Sequence, residues 1–85
     1  MAIKKGTKLL SANDKKLLKK FGDNIRKARE NAGLTVYDVT GDDMEIKSRQ
    51  HWQKIENGQK NINFSTLMKI ARTLEVGAEK LLKGI

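Results

Sequence analysis

The spacing of its apolar residues constrains this chain most, because it fits one kind of secondary structure along the whole sequence. Apolar side chains recur three and four residues apart and not two apart, which is the period of an amphipathic α-helix. No proline interrupts this pattern. The 85 residues are enough for one domain with one modest core. We therefore predict an all-α, compact five-helix domain over residues 11–85, preceded by a mobile basic arm at residues 1–10.

Helix-capping residues and glycines divide the chain into five helical segments. A polar side chain that caps the backbone N–H groups begins each of the first four segments. Gly33 and Gly58 end the first and third segments, as glycines at helix C-termini commonly do. The predicted starts are, in chain order, Ser11, Thr35, Ser48, Asn63 or Ser65, and Ala78. The third segment, about 48–57, is expected to bury Trp52 and Ile55. The apolar residues expected on the buried face of the fourth segment are Phe64, Leu67, Met68, Ala71 and Leu74.

Basic residues are unevenly distributed along the chain, which has a net charge of +8. Residues 1–33 contain ten basic and three acidic side chains, whereas residues 34–46 contain four acidic and no basic ones. A basic surface attracts polyanions such as nucleic acid. A lysine-rich face that is merely solvated would account for the composition equally well. Charge therefore indicates nucleic-acid binding only together with a suitable geometry.

The sequence gives little support to catalysis or metal binding. It has no cysteine, one histidine (His51), no glycine-rich phosphate loop and no pair of carboxylates beside a base. The acids at 42, 43 and 45 do not match the twelve-residue calcium loop. No apolar run approaches the roughly 20 residues of a membrane span. We expect no enzyme activity, no cofactor, no metal and no membrane contact, and we expect a cytoplasmic location.

Four segments match, in the right order, the sequence pattern of a DNA-binding family. The matching residues are Gly22, Ile25, Arg26 and Arg29; Gly33, Leu34 and Thr35; WQKIENG at 52–58; and Leu67, Ile70, Ala71, Leu74 and Val76. The stretch 21–82 thus resembles the helix-turn-helix domain of the lambda repressor/Cro type, also called XRE-like. The resemblance implies that the helix at about 48–57 enters the DNA major groove, while the helix before it crosses the phosphate backbone.

The exposed side of the predicted third helix has the side chains that base reading requires. The positions opposite Trp52 and Ile55 that we expect to read bases are Arg49, Gln50, Gln53 and Lys54. Arginine can donate two hydrogen bonds to guanine, glutamine can pair with adenine, and lysine suits guanine or phosphate. An ordinary solvated helix face is the alternative interpretation. We take Trp52 itself as a core residue and not as a platform for stacking bases.

Other roles follow from the resemblance or from the ends of the predicted helices. The residues expected to contact phosphate are Thr35, Asn57, Gln59 and Lys60. The resemblance also implies a structural ion pair between Arg29 and Glu56, which would join the first helix to the recognition helix. The basic arm at 1–10 could follow the DNA backbone, enter the minor groove, or serve only as a soluble tail.

The chain departs from the family pattern just before the recognition helix. The interval from Leu34 to Trp52 is two residues longer than usual, which lengthens the turn at 41–47. Thr40 also stands where the family usually has alanine. These differences leave the orientation of the recognition helix open at this stage.

The predicted function is a sequence-specific, duplex DNA-binding transcriptional regulator, with repression as the expected mode. A homodimer on a two-fold symmetric site follows from the family and from the apolar C-terminal end of the chain. The alternative is an antitoxin-like or adaptor protein whose helix-turn-helix domain mainly binds a protein partner such as a toxin. The apolar residues that could serve either partner are Leu74, Val76, Leu81, Leu82 and Ile85. The alternative, that they complete the core of the monomer, suits Leu74 and Leu81 better than Leu82 and Ile85.

Overall fold

The computed structural model describes residues 12–85, which form five helices and no strand. The helices are α1 (Ala12–Asn31), α2 (Val36–Val39), α3 (Arg49–Glu56), α4 (Phe64–Leu74) and α5 (Ala78–Leu81). The all-α, five-helix prediction is therefore confirmed. The predicted arm at 1–10 and the predicted cap Ser11 lie outside the described residues. None of the described helices is both long and apolar enough to cross a membrane.

Side-chain caps begin the central helices where the sequence predicted them. Thr35 accepts a hydrogen bond from the backbone N–H of Asp38, whose carboxylate accepts one from the Thr35 N–H, so the two residues form a capping box. Ser48 caps α3 and Asn63 caps α4 in the same way, each accepting from the N–H three residues later. These bonds satisfy N–H groups that have no partner inside the helix, which explains why the helices begin there.

All five helices contribute to one core around Trp52, which is fully buried as predicted. The buried apolar residues are Phe21, Ile25, Val39, Ile46, Trp52, Ile55, Leu67, Ile70, Ala71, Leu74 and Leu81. The prediction that Phe64 is buried was wrong, because its side chain is 73% exposed. It is the first residue of α4, one turn before Leu67, where the helix has passed the edge of the core.

Two glycines allow the backbones of α1 and α3 to meet closely. A Cβ atom on Gly22 would lie 2.6 Å from the carbonyl oxygen of Ile55 and would clash with that of Glu56. A Cβ atom on Gly58 would lie 2.8 Å from the Cα atom of Lys19, and Gly58 has a φ of +73°, which favours glycine. The position of α3 is therefore set by direct backbone contact with α1.

A side chain of α1 binds the backbone at the end of α5. The amide of Asn24 donates hydrogen bonds of 2.9 Å to the carbonyl oxygens of Leu81 and Lys83. The fifth helix begins at Ala78, as predicted, and ends at Leu81. Asn24 thus supplies donors to carbonyl groups at a helix end, which otherwise lack partners.

Candidate nucleic-acid interface

One side of α3 is buried and the other is exposed and free of carboxylates. Trp52, Ile55 and Glu56 are buried in the domain. The exposed side has the four predicted base-reading residues, Arg49, Gln50, Gln53 and Lys54. With 3.6 residues per turn, Gln50, Gln53 and Lys54 occupy neighbouring positions on one surface. The exposed surface of α3 therefore presents two cations and two amides to solvent.

The only acidic residue of α3 is neutralised inside the domain. Arg29 donates to both carboxylate oxygens of Glu56, through Nε at 2.6 Å and Nη2 at 3.0 Å. The indole N–H of Trp52 donates to the same carboxylate. Arg29 also donates through Nη1 to the carbonyl oxygen of Leu34, at 3.0 Å. The Arg29 and Glu56 side chains are only 11% and 6% exposed, so this ion pair lies in the interior.

The Arg29–Glu56 pair joins three parts of the fold. Arg29 lies in the last turn of α1, Glu56 is the last residue of α3, and Leu34 precedes the cap of α2. The hydrogen bond to Glu56 raises the pKa of Arg29, so the guanidinium remains charged. A bidentate, charge-assisted pair fixes the relative angle of its two helices. The ion pair that the resemblance implied is thus present in the structure, where it joins α1 to α3.

An aromatic residue of α2 contacts the first residue of α3. The guanidinium carbon of Arg49 lies 4.4 Å from the centre of the Tyr37 ring, which is a cation–π distance. Tyr37 is 71% exposed, so the contact lies on the protein surface. Tyr37 was not among the residues predicted to bind DNA. Its position two residues after the cap Thr35, between the inward-facing Val36 and Val39, was the available signal.

The four residues predicted to contact phosphate are all exposed, but their surroundings differ. The Thr35 N–H is bonded to Asp38, and the Thr35 hydroxyl accepts a bond from the Asp38 N–H. A carboxylate therefore already occupies the beginning of α2. Asn57 is the C-cap of α3, and Gln59 and Lys60 follow it with exposed side chains. The segment after α3 therefore offers polar side chains more freely than Thr35 does.

Comparison with known proteins identifies the fold and its class. A family model described as a helix-turn-helix domain matches residues 22–85. The chain belongs to the helix-turn-helix family, in its lambda repressor/Cro type. The crystal structure of the restriction-modification controller protein C.AhdI from Aeromonas hydrophila is similar, with a TM-score of 0.67 and 26% sequence identity. The match covers 75% of this chain and 94% of that one. None of the curated proteins compared with the chain matches it.

In this helix-turn-helix domain, α2 and α3 are the two helices of the motif. In the family's geometry the second helix enters the groove and the first crosses the backbone. Tyr37, whose ring contacts Arg49, therefore lies on the first helix of the motif, and Arg49 lies on the second. Membership of the family places the chain among DNA-binding transcriptional regulators.

The longer turn of this helix-turn-helix motif is an ordered part of the domain. The Gly41 N–H donates to the Lys47 carbonyl oxygen at 3.1 Å, which closes the turn. Ile46 is buried in the core, and Glu45 forms a bidentate ion pair with Arg72 of α4, at 2.6 and 2.9 Å. That bond to Arg72 lowers the pKa of Glu45. The longer turn is thus in contact with α4, and Glu45 is the one of its three acids that forms an ion pair.

A second exposed feature is apolar. An apolar groove runs between α1, the segment before α4 and the end of the chain. The apolar residues that line it are Leu17, Leu18, Phe21, Ile62, Phe64, Leu67, Leu82 and Ile85. Phe64, Leu82 and Ile85 are among its exposed members. No cluster of His, Asp or Glu able to hold a metal ion occurs within residues 12–85.

Proposed function

We propose that this protein is a sequence-specific regulator that reads duplex DNA in the major groove with α3. One observation carries the proposal: the exposed side of α3 has cations and amides but no carboxylate. The helix does contain an acid, Glu56, but Arg29 neutralises it in the interior. A solvent-exposed carboxylate there would repel phosphate, so its absence favours DNA as the partner.

Each residue of this surface has a distinct proposed role. Arg49 and Lys54 would pair with guanine, and Gln50 and Gln53 would pair with adenine. Phosphate contacts would come from the segment that follows α3, from the three exposed residues Asn57, Gln59 and Lys60. Thr35 is a weaker phosphate ligand in this proposal, since its N–H and hydroxyl are already used in the capping box.

The proposed active form is a homodimer on a two-fold symmetric site. A single domain of this size reads too few base pairs to be selective in a genome. The exposed apolar residues Phe64, Leu82 and Ile85 offer a surface for a second copy. Two recognition helices would then read half-sites about 34 Å apart, one turn of DNA. A dimer on such a site would exclude other proteins from the DNA, so repression is the mode of regulation that we propose.

The same apolar groove supports the second candidate, a protein partner such as a toxin. Burial of apolar surface depends little on salt, whereas release of counterions from DNA depends on it steeply. Salt dependence therefore separates the two functions, although both use a helix-turn-helix fold.

The test is binding of fluorescent random-sequence duplex DNA, measured by anisotropy over a range of salt concentrations. The variant Arg49→Ala/Lys54→Ala removes the two cations of the α3 surface. Its matched control, Lys20→Ala/Lys27→Ala, removes the same charge from exposed positions two turns apart on α1. These two lysines lie opposite Gly22 and Arg29, the α1 residues that meet α3.

We expect affinity for the native protein to fall steeply with salt. The α3 variant should bind clearly more weakly, and its logarithmic salt slope should decrease by about one for each cation that neutralises a phosphate. The α1 control should resemble the native protein much more closely. Absence of binding at low salt, or equal weakening in both variants, would refute the assignment to α3. A pull-down with the native protein would then test the protein-partner function.

A further inference from the structure

We propose that Tyr37 is a positioning residue for Arg49, and that its ring holds the guanidinium with its edge available to a guanine. This inference rests on the proposed function, since it assumes that α3 reads bases. It assigns a role in specificity to α2, the helix that otherwise crosses the DNA backbone. The juxtaposition that carries it is the 4.4 Å separation between the Arg49 guanidinium carbon and the Tyr37 ring centre.

The contact leaves the hydrogen-bonding groups of Arg49 unused. Within residues 12–85, the ion pairs of the structure involve other residues, and Arg49 has none. A guanidinium has five N–H donors in its plane, and an aromatic ring contacts it from above that plane. The edge that pairs with the O6 and N7 atoms of guanine therefore remains free.

The nearest acid on α2 is held away from this contact by the capping box. Asp38 follows Tyr37 directly, but its carboxylate takes part in the capping box and forms no ion pair with Arg49. Its oxygen Oδ2 instead accepts the N–H of Thr35, at 2.7 Å. Arg49 therefore contacts a neutral ring and not a carboxylate, which would compete with DNA for the same donors.

Tyr37 is also held in place by the helix that bears it. Val39 is buried, and the Thr40 hydroxyl donates to the Val36 carbonyl oxygen at 2.7 Å. These contacts fix α2 although it has only four residues. An arginine at the first position of α3 has many side-chain rotamers when it is unsupported. Contact with the Tyr37 ring reduces that freedom before DNA arrives, so less of it is lost on binding.

The experiment is a double-mutant cycle on a DNA site that the native protein selects from a random duplex library. The variants are Tyr37→Ala, Tyr37→Phe, Arg49→Ala and Tyr37→Ala/Arg49→Ala. Tyr37→Phe is the matched control, because it keeps the ring face and removes only the hydroxyl. Each variant is measured on the selected site and on sites with every base pair substituted in turn.

We expect Tyr37→Ala to weaken binding to the selected site by roughly two- to five-fold, the range for an exposed cation–π contact. It should also reduce the preference at the same base pair whose preference Arg49→Ala abolishes. Tyr37→Phe should bind as the native protein does. In the Arg49→Ala background, removal of Tyr37 should have no further effect, since the two residues act through one contact. The salt slope should not change with Tyr37, because no charge is removed.

A second measurement tests the contact without DNA. In the NMR spectrum of the free protein, the ring current of Tyr37 should shift the Arg49 Nε–H proton upfield. This shift should persist in Tyr37→Phe and disappear in Tyr37→Ala, and the thermal midpoint of Tyr37→Phe should match that of the native protein.

The outcomes distinguish this inference from the function on which it rests. Native binding with independent, additive losses from Tyr37→Ala and Arg49→Ala would overturn the positioning role, because Tyr37 would then contact DNA by itself. An unchanged base preference in Tyr37→Ala would overturn it as well. Failure of the native protein to bind any duplex would overturn the proposed function and the positioning role together.

Discussion

The substitution Glu56→Ala tests whether the interior ion pair holds the recognition helix in place. It removes the carboxylate that accepts hydrogen bonds from Arg29 and from the Trp52 indole. The Arg29 side chain is only 11% exposed, so water would solvate the stranded guanidinium poorly. Removal of one partner from a buried ion pair costs about 3 to 5 kcal/mol of unfolding free energy.

That loss is large relative to the stability of a domain of this size. A chain of 85 residues has an unfolding free energy of about 4 to 13 kcal/mol. In a domain of this length, each kcal/mol shifts the thermal midpoint by about 4 to 8 °C. We therefore expect the midpoint of Glu56→Ala to fall by about 12 °C or more. Circular dichroism is the suitable probe, because Trp52 fluorescence would itself respond to the loss of its hydrogen bond.

The chain contains a matched control for this experiment. Glu45 also forms a bidentate pair with an arginine, but the Arg72 and Glu45 side chains are 56% and 40% exposed. Exposed pairs contribute little to stability, so Glu45→Ala should melt close to the native protein. If Glu56→Ala melted there too, the interior pair would have no structural role. Weaker DNA binding by Glu56→Ala at temperatures where it remains folded would show that the pair also orients α3.

Two further predictions concern the backbone contact and the capping box. Gly22→Ala should lose about 1 to 3 kcal/mol in urea unfolding, since its Cβ would press against the Glu56 carbonyl oxygen. Gly33→Ala has open space, so it should lose only about 1 to 2 kcal/mol, the cost of a left-handed backbone; a larger loss in Gly33→Ala than in Gly22→Ala would contradict this reasoning. The hydrogen bond from the Thr35 N–H lowers the pKa of Asp38 below its ordinary 3.8. The stability that the charged Asp38 carboxylate contributes is therefore complete above pH 3.8, and it disappears as the pH falls through the lowered pKa. Thermal midpoints of Asp38→Asn should therefore fall less with acid than those of the native protein, and parallel curves would exclude the capping box as the cause.

The sequence by itself determined the helices and the composition of the α3 surface. Thr35, Ser48 and Asn63 cap helices in the structure as predicted, because a cap needs only groups within three residues of each other. The exposed side of α3 followed from Trp52 and Ile55, since the helical period relates neighbouring positions to a common face. The Arg29–Glu56 pair came from the family resemblance and not from spacing.

Only the tertiary structure decided how distant side chains meet. Glu45 and Arg72 are 27 positions apart, and no local pattern relates them. Tyr37 and Arg49 lie on different helices, so their contact depends on the path of the long turn that joins α2 to α3. Ile46 lies in the core because that turn is folded, and Phe64 lies outside it because α4 extends past the edge of the core. Local hydrogen bonds and helical periodicity can be read along a chain, whereas these contacts exist only once the core has fixed the helices relative to one another.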